Sequence, residues 1–394
     1  MSLHEVKIAG TGSWLPGEAV AFENIEQILG EFEGQDDDFQ RWYKRSRKLM
    51  RQLLGMENYF YALDPVTRNP TETCASMAAH AARPALEQAG ISPDEVDLLI
   101  YAGSSMDQFI CPPTSAMVQQ ELGISSCAEY SIHSNCTATY KAMELAFELL
   151  GAGRYHTALI VSSSLVSNAL KSSYYNPAHL TRDQAMLRWF LCDGAGALVL
   201  RRGDVAPGPG LYVVDTFVES VGAKSPPHMF SRAGASTAGP LPDYAAGLHH
   251  ITQDFRAVST LGPRLFVEGF QRMVAQIRKK KGDDHFRTRA RDVSHFLVNV
   301  PSRHLIDLAG EDLAAEFKAH LGDQVPFDLY YSTIDKRGYT GPASMLLTLD
   351  RLVRTEPLRP GQLIVSFVTE SSKWMNAGFM LEGGEPTAAN PFRA

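Results

Sequence analysis

Apolar residues along the chain recur in two periods, and the switches between them mark the elements. Tyr130, Ile132 and Ser134 alternate as in a short strand. Ala138, Met143, Leu145, Ala146, Leu149 and Leu150 then line one face of a helix that stops at Gly151. Thr71 to Ala89 predicts a second amphipathic helix, with Ala75, Met77, Ala78, Ala81, Ala82 and Leu86 on small, closely packing faces. Val96 to Gly103 and Ala158 to Ser164 are near-continuous apolar runs, as expected of strands buried on both faces of a sheet. Val6 to Pro16 predicts a strand running into a glycine turn, and Phe22 to Leu29 a short helix. Thr114 to Leu122 predicts a helix behind Pro112 and Pro113, and Leu191 to Leu200 a glycine-bearing turn entering a strand. Asn168 to Asp183 reads as a polar loop.

Arg201 to Gly210, rich in Gly and Pro, is the clearest boundary in the chain. Past it the same order returns. Tyr244 to Ile277 is expected to be helical, with Phe255, Val258, Leu261, Leu265, Phe266, Phe270 and Val274 at helical spacing. Val293 to Val300, followed by a helix from Leu305 to Leu321, parallels Val96 to Leu122. Phe327 to Ile334, followed by Gly341 to Leu349, parallels the strand, turn and helix around Cys136. Gln362 to Val368 parallels Ala158 to Ser164. This repetition predicts an internally duplicated α/β protein with two like layers, divided into residues 1–205 and 206–394.

Composition narrows the class of protein. The chain has 394 residues, 44% hydrophobic and 21% charged, with enough length for a large core or two domains. A net charge of -7 leaves no global basic footprint for nucleic acid. No apolar run reaches membrane-spanning length and the N-terminus lacks a signal-peptide core, so a soluble, cytoplasmic protein is expected. The five cysteines, Cys74, Cys111, Cys127, Cys136 and Cys192, are odd in number and form no CxxC pair. That argues against a disulfide scaffold and a zinc knuckle, and no metal or cofactor is expected.

Candidate chemistry centres on Cys136, where strand gives way to helix. A thiol at a helix N-terminus feels unpaired N–H groups that favour the thiolate. A buried structural cysteine fits the same position. Arg41 to Arg51 is locally the most cationic part of an acidic chain. It reads either as a solvated helix face or as a dock for a phosphate-bearing partner. Gly10 and Gly12 resemble part of a dinucleotide loop, but the third glycine and the helix behind it are missing. His133 is expected to point into packing, and Asp193 to hold the turn at Gly194.

The stretch from Lys7 to Pro16, the turn Asn135-Cys136-Thr137, the run Asp193 to Ala197 before a strand, and Arg359 to Val365 resemble 3-oxoacyl-[acyl-carrier-protein] synthase III, of the thiolase superfamily. The resemblance spans essentially the whole chain. It implies a thiolase-like duplicated five-layered α-β-α-β-α fold, a homodimer, and an acyl-cysteine intermediate formed from acyl-CoA or acyl-carrier protein. Cys136 falls on the nucleophile position.

The other functional positions of that family are altered. Its catalytic histidine falls near Val300 or Pro301, with His304 three or four residues beyond, which reads as a surface or helix-capping histidine or, in a rebuilt turn, as a base. Its catalytic asparagine is replaced by Tyr339. The glycine-rich loop that supplies an oxyanion N–H, with Cys136 giving the other, reads Val368 to Trp374. Its matching residue is about Ser371, and Glu370 and Lys373 bring charge. Trp42 matches a tryptophan of the CoA site, inside the segment that also carries Arg45 and Arg47, while the family arginine falls near Leu53. Three readings follow: an acyltransferase to a small-molecule or carrier-bound acceptor other than malonyl, in fatty-acid-like or secondary metabolism; a decarboxylative synthase with base and donor at unmatched positions; and a catalytically weak partner subunit of an active homologue.

Overall fold

The computed structural model describes residues 4–206, 208, 210–233, 239–281, 292–302, 304, 305, 307, 315, 330–356 and 359–384. Ten strands carry the fold. The first five are β1 (Val6–Trp14), β2 (Leu98–Gly103), β3 (Ala128–His133), β4 (Thr157–Ser164) and β5 (Gly194–Arg202). The second five are β6 (Gly210–Ser220), β7 (Val293–Val298), β8 (Tyr330–Tyr331), β9 (Leu363–Glu370) and β10 (Met375–Gly384). They run in the order β8-β7-β9-β10-β6-β1-β5-β4-β2-β3. Each strand of one half therefore has its counterpart five strands later, on the other side of the β1–β6 seam. That seam is short, pairing Lys7 with Tyr212 and Ile8 with Leu211.

The helices follow the same repeat. They are α1 (Asp37–Leu54), α2 (Cys74–Ala89), α3 (Thr114–Leu122), α4 (Ala138–Gly151), α5 (Phe255–Lys281) and α6 (Ser344–Thr355). Strands buried on both faces need helices on both sides. In β2, Leu98, Ile100 and Ala102 share one core with Met143 and Ala146 of α4 and with Leu346 and Leu349 of α6. Leu99 and Tyr101 instead join Ala78, Ala82 and Leu86 of α2. Phe266, Phe270 and Val274 of α5 cover Phe296, Val365 and Phe367 in the second half. Thus α4 and α6 form the middle layer, α2 and α5 the outer ones. This is the duplicated, five-layered thiolase-like α/β arrangement.

Three local expectations change. The predicted helix from Tyr244 begins at Phe255, because Gly247 takes φ +66 and ends a separate short helix, Pro240–Ala245. The helix predicted from Thr71 begins at Cys74, where Thr73 and Ser76 cap each other's backbone N–H groups. Gly10 and Gly12 form no turn: they lie inside β1, where a Cβ on Gly10 would strike the Ala85 carbonyl oxygen of α2 and one on Gly12 that of Ala81. Most of the expected helix from Leu305 to Leu321, and the start of the strand from Phe327, lie outside the described residues.

Candidate active site

Cys136 sits in the turn between β3 and α4, closed by the Ala138 amide donating to the Asn135 carbonyl at 2.9 Å. The equivalent turn of the second half runs from Gly338 (φ +66) to Gly341 (φ +61), glycines that let the backbone double back around Tyr339. It is pinned by the Thr340 amide donating to Ser344 Oγ at 2.7 Å and the Cys192 amide to the Tyr339 carbonyl at 3.0 Å. The tips of the two turns meet: Tyr339 Oη lies 3.2 Å from Cys136 Sγ.

Both groups open onto a cavity of about 950 Å³, counting its mouth. Its wall is mainly apolar, with Leu187, Phe190, Leu191, Val258 and Phe266 on one side. The turn after β7 contributes Val298 to Pro301 and Leu305, and the turn after β9 contributes Thr369, Ser371 and Trp374. Such a lining suits a hydrocarbon chain better than a polar ligand. Asn299 is one of the polar residues in that lining. It is buried, its Nδ2 donates to the Cys136 carbonyl at 3.3 Å, and its Oδ1 has no hydrogen-bond partner.

A buried carboxylate lies behind the Cys136 turn. Glu370 is 2% exposed at the end of β9. Its Oε2 accepts from the Thr137 amide (3.0 Å), Thr137 Oγ1 (2.6 Å) and Ser134 Oγ (3.0 Å), and its Oε1 from Ser372 Oγ. Burial works to raise its pKa, but the bonds from Ser372 and Thr137 and the nearby Lys141 charge outweigh that and leave it lowered, so it is ionised. Burial pushes the Cys136 thiol up to about 12, the Glu370 charge adds to the rise, and the Tyr339 hydrogen bond opposes it. The thiolate expected from the helix end is thus countered, because a carboxylate already takes the Thr137 N–H. Tyr339 is raised well above its ordinary value, by burial first and the Cys136 sulfur second, so its hydroxyl keeps its proton.

The other expected site residues are placed as follows. Val300, Pro301 and Ser371 line the cavity. His304 is exposed, and its neighbour Leu305 is the one that faces the cavity; successive residues of a helical turn point about 100° apart. His133 is exposed rather than packed, at the end of β3, the edge strand of the sheet among the described residues. Asp193 is fully buried and accepts from the amides of Ala62 (2.8 Å) and Ser167 (2.9 Å), a turn-holding role. Arg45 is exposed on α1. Arg47 is engaged internally, with Glu26 at 2.8 Å and the Glu23 carbonyl at 2.6 Å. Trp42 is half-buried with the Arg182 guanidinium 5.3 Å from its ring centre. The carbonyl of Leu53 accepts from Ser302 Oγ at 3.0 Å, tying the end of α1 to the cavity-lining turn. Sequence reasoning missed Asn299, which stands just before the expected histidine position. It saw Glu370 only as a charge, because its donors Ser134 and Thr137 are 236 and 233 residues away. Among the described residues, no cluster of three or more His, Cys, Asp or Glu side chains could hold a metal, and no helix is long and apolar enough to cross a membrane.

Residues 130–220, which include the Cys136 turn, match the model of the 3-oxoacyl-[acyl-carrier-protein] synthase III family. The chain is 28% identical over 360 residues to the acetoacetyl CoA synthase NphT7 of Streptomyces, covering 91% of this chain and 93% of that one. It is 25% identical over 362 residues to a β-ketoacyl-[acyl-carrier-protein] synthase III of Methylococcus capsulatus, with the same coverage. The chain is thus similar to this synthase III family, by the model over residues 130–220 and by these relatives over about nine-tenths of its length. Solved structures agree on the fold. The tetronic acid condensing enzyme AbyA1 matches with a TM-score of 0.74 at 24% identity, over 96% of this chain and all of that one. The Aquifex aeolicus 3-oxoacyl-[acyl-carrier-protein] synthase III matches with a TM-score of 0.70 at 19% identity, over 96% and 99%.

Proposed function

We propose that this synthase III-like protein takes an acyl group from an acyl-CoA or acyl-carrier protein onto Cys136. It then passes that group to an acceptor other than malonyl, in fatty-acid-like or secondary-metabolite biosynthesis. The observation that carries this reading is the pairing at the two turn tips: a cysteine opening onto an apolar cavity, against a tyrosine hydroxyl 3.2 Å away. Loading needs a nucleophile and donors for the oxyanion, and backbone N–H groups near Cys136 and Ser371 are the candidates for those donors. Decarboxylation of malonyl needs more, because it leaves an enolate whose charge must be met by further neutral donors. At the positions that the resemblance gives to them stand Val300 or Pro301, and Tyr339. The apolar wall favours an acyl chain as the group carried. Exposed cations of α1, Arg45 among them, favour docking of a phosphate-bearing donor there. We further propose that the two halves, residues 1–205 and 206–394, work as one unit, and that the protein acts as a homodimer through the uncovered edge strand β3.

Decarboxylative condensation is the second reading. It is favoured by relatives whose names are those of condensing enzymes and by Asn299, a buried amide beside Cys136. Incubation with acyl-CoA plus malonyl-carrier protein separates the two. Turnover of roughly 1 s⁻¹ or faster, a rate ordinary for enzymes, would establish condensation. Acyl transfer to alcohol or amine acceptors with no CO₂ release supports the first reading.

A further inference from the structure

Glu370 serves neither as a cavity wall nor as an ion-pair partner of an outer surface. It is a buried carboxylate brought from the far end of the chain to the head of the nucleophile's helix. It takes the Thr137 amide, the first N–H beyond Cys136, along with the hydroxyls of Thr137 and Ser134. The first amides of a helix are what would otherwise stabilise an anion at Cys136, so a negative charge bound there cancels that field.

We propose that Glu370 is a positioning residue that holds Cys136 as a neutral thiol in the resting site. Burial of Cys136 and of Tyr339 points the same way. Among the described residues the charged and titratable groups around the pair are few, and one of them, the buried Tyr140 phenol of α4, is engaged with Ser366 Oγ at 2.8 Å. From α4, Lys141 donates to Ser134 Oγ at 2.8 Å and offsets part of the carboxylate's charge. From the opposite turn, the Tyr339 hydroxyl faces the sulfur. In the turn after β9, Lys373 is turned onto the Ser225 carbonyl, and His228 lies over the Trp374 ring. None of these replaces the helix end that Glu370 occupies.

The consequence rests on the acyl-transfer reading. When a thioester donor loads a neutral thiol, a C–S bond forms to Cys136 and the donor C–S bond breaks. The thiol proton leaves with the donor's sulfur, so the step balances without an external base. Tyr339 lies within reach of that proton, whereas the family's usual histidine would not be needed for it. The site is thereby matched to a turn that has no histidine at Val300.

The test needs no thioester, so its failure is distinct from failure of the acyl-transfer reading. Iodoacetamide labelling of the intact protein is followed across pH, with Cys136 quantified separately from the other four cysteines by peptide mass mapping. Wild type is expected to reach half its maximal Cys136 rate above pH 9. Glu370→Gln is expected to move that midpoint down by about one unit or more, the size of effect a like charge exerts at close range. At pH 7.5 its labelling should be about threefold faster or more, less than the shift alone would give, since a less basic thiolate is a weaker nucleophile. Glu370→Asp, which keeps the charge, should follow wild type. A wild-type midpoint at or below pH 8 overturns the proposal, even if the variants do not fold. So does a Glu370→Gln profile that superimposes on wild type, or a Glu370→Asp profile that follows Glu370→Gln.

Discussion

In the first half of the molecule, the turn from β3 into α4 presents Cys136. In the second half, the equivalent turn from β8 into α6 presents Tyr339, and the two meet across 3.2 Å. The strands and helices around both turns repeat in the same order, and α4 and α6 share one core. The difference between the turns is therefore one of a few side chains and not of scaffold. One half has Cys136 where the resemblance expects the family's nucleophile. The other, which in the family brings the groups that stabilise an enolate, here brings a hydroxyl and the apolar Val300. Duplication lets the two functions drift apart, because packing fixes the backbone of each turn while leaving its tip free to change.

Rebuilding the second half should break the contrast most strongly. An oxyanion donor is worth on the order of 10²–10³ in rate. Val300→His combined with Tyr339→Asn is expected to raise CO₂ release from malonyl-carrier protein by about 10² or more, measured with acyl-CoA as primer. No change would show that the missing donors are not what separates the halves. Tyr339→Phe should act more gently. One hydrogen bond of ordinary strength is worth roughly 1 kcal/mol, so acyl transfer should fall by about five- to tenfold. Because that bond lowers the thiol's pKa, the pH midpoint for Cys136 labelling should also rise in this variant.

The docking surface gives a smaller effect. Arg45→Glu with Lys48→Glu, both exposed on α1, should raise the KM for acyl-CoA several-fold at low ionic strength, and the difference should fade with added salt. Arg47→Ala is expected to lower stability by about 1 kcal/mol in a denaturant melt, since Arg47 is tied to Glu26 and to α1's neighbouring backbone. His304→Ala should change acyl transfer by less than about twofold, because the side chain is exposed and Leu305 faces the cavity in its place.

Much of this scaffold was legible in the sequence because buried strands and helix faces leave strong periodicity. The runs at Val96 to Gly103 and Ala158 to Ser164 became β2 and β4 within two residues, and the Cys136 unit stands where its change of period placed it. Helix starts were less legible where a cap decides them, as at Thr73, or where a glycine interrupts an apolar pattern, as at Gly247. The site was legible only in part. Cys136 and Tyr339 could be marked one by one, but their meeting depends on two turns 203 residues apart. Glu370 lay further from view. Whether a carboxylate in a loop is solvated or bound to the head of a distant helix is decided by tertiary packing, which periodicity does not encode.

The central claim is that Cys136 accepts an acyl group. Intact-protein mass spectrometry after exposure to a panel of acyl-CoA and acyl-carrier thioesters tests it most directly. The account predicts an adduct of one acyl mass on wild type, mapped to the Cys136 peptide and absent from Cys136→Ala. An adduct that appears equally on Cys136→Ala, or no adduct with any donor of the panel, would contradict it.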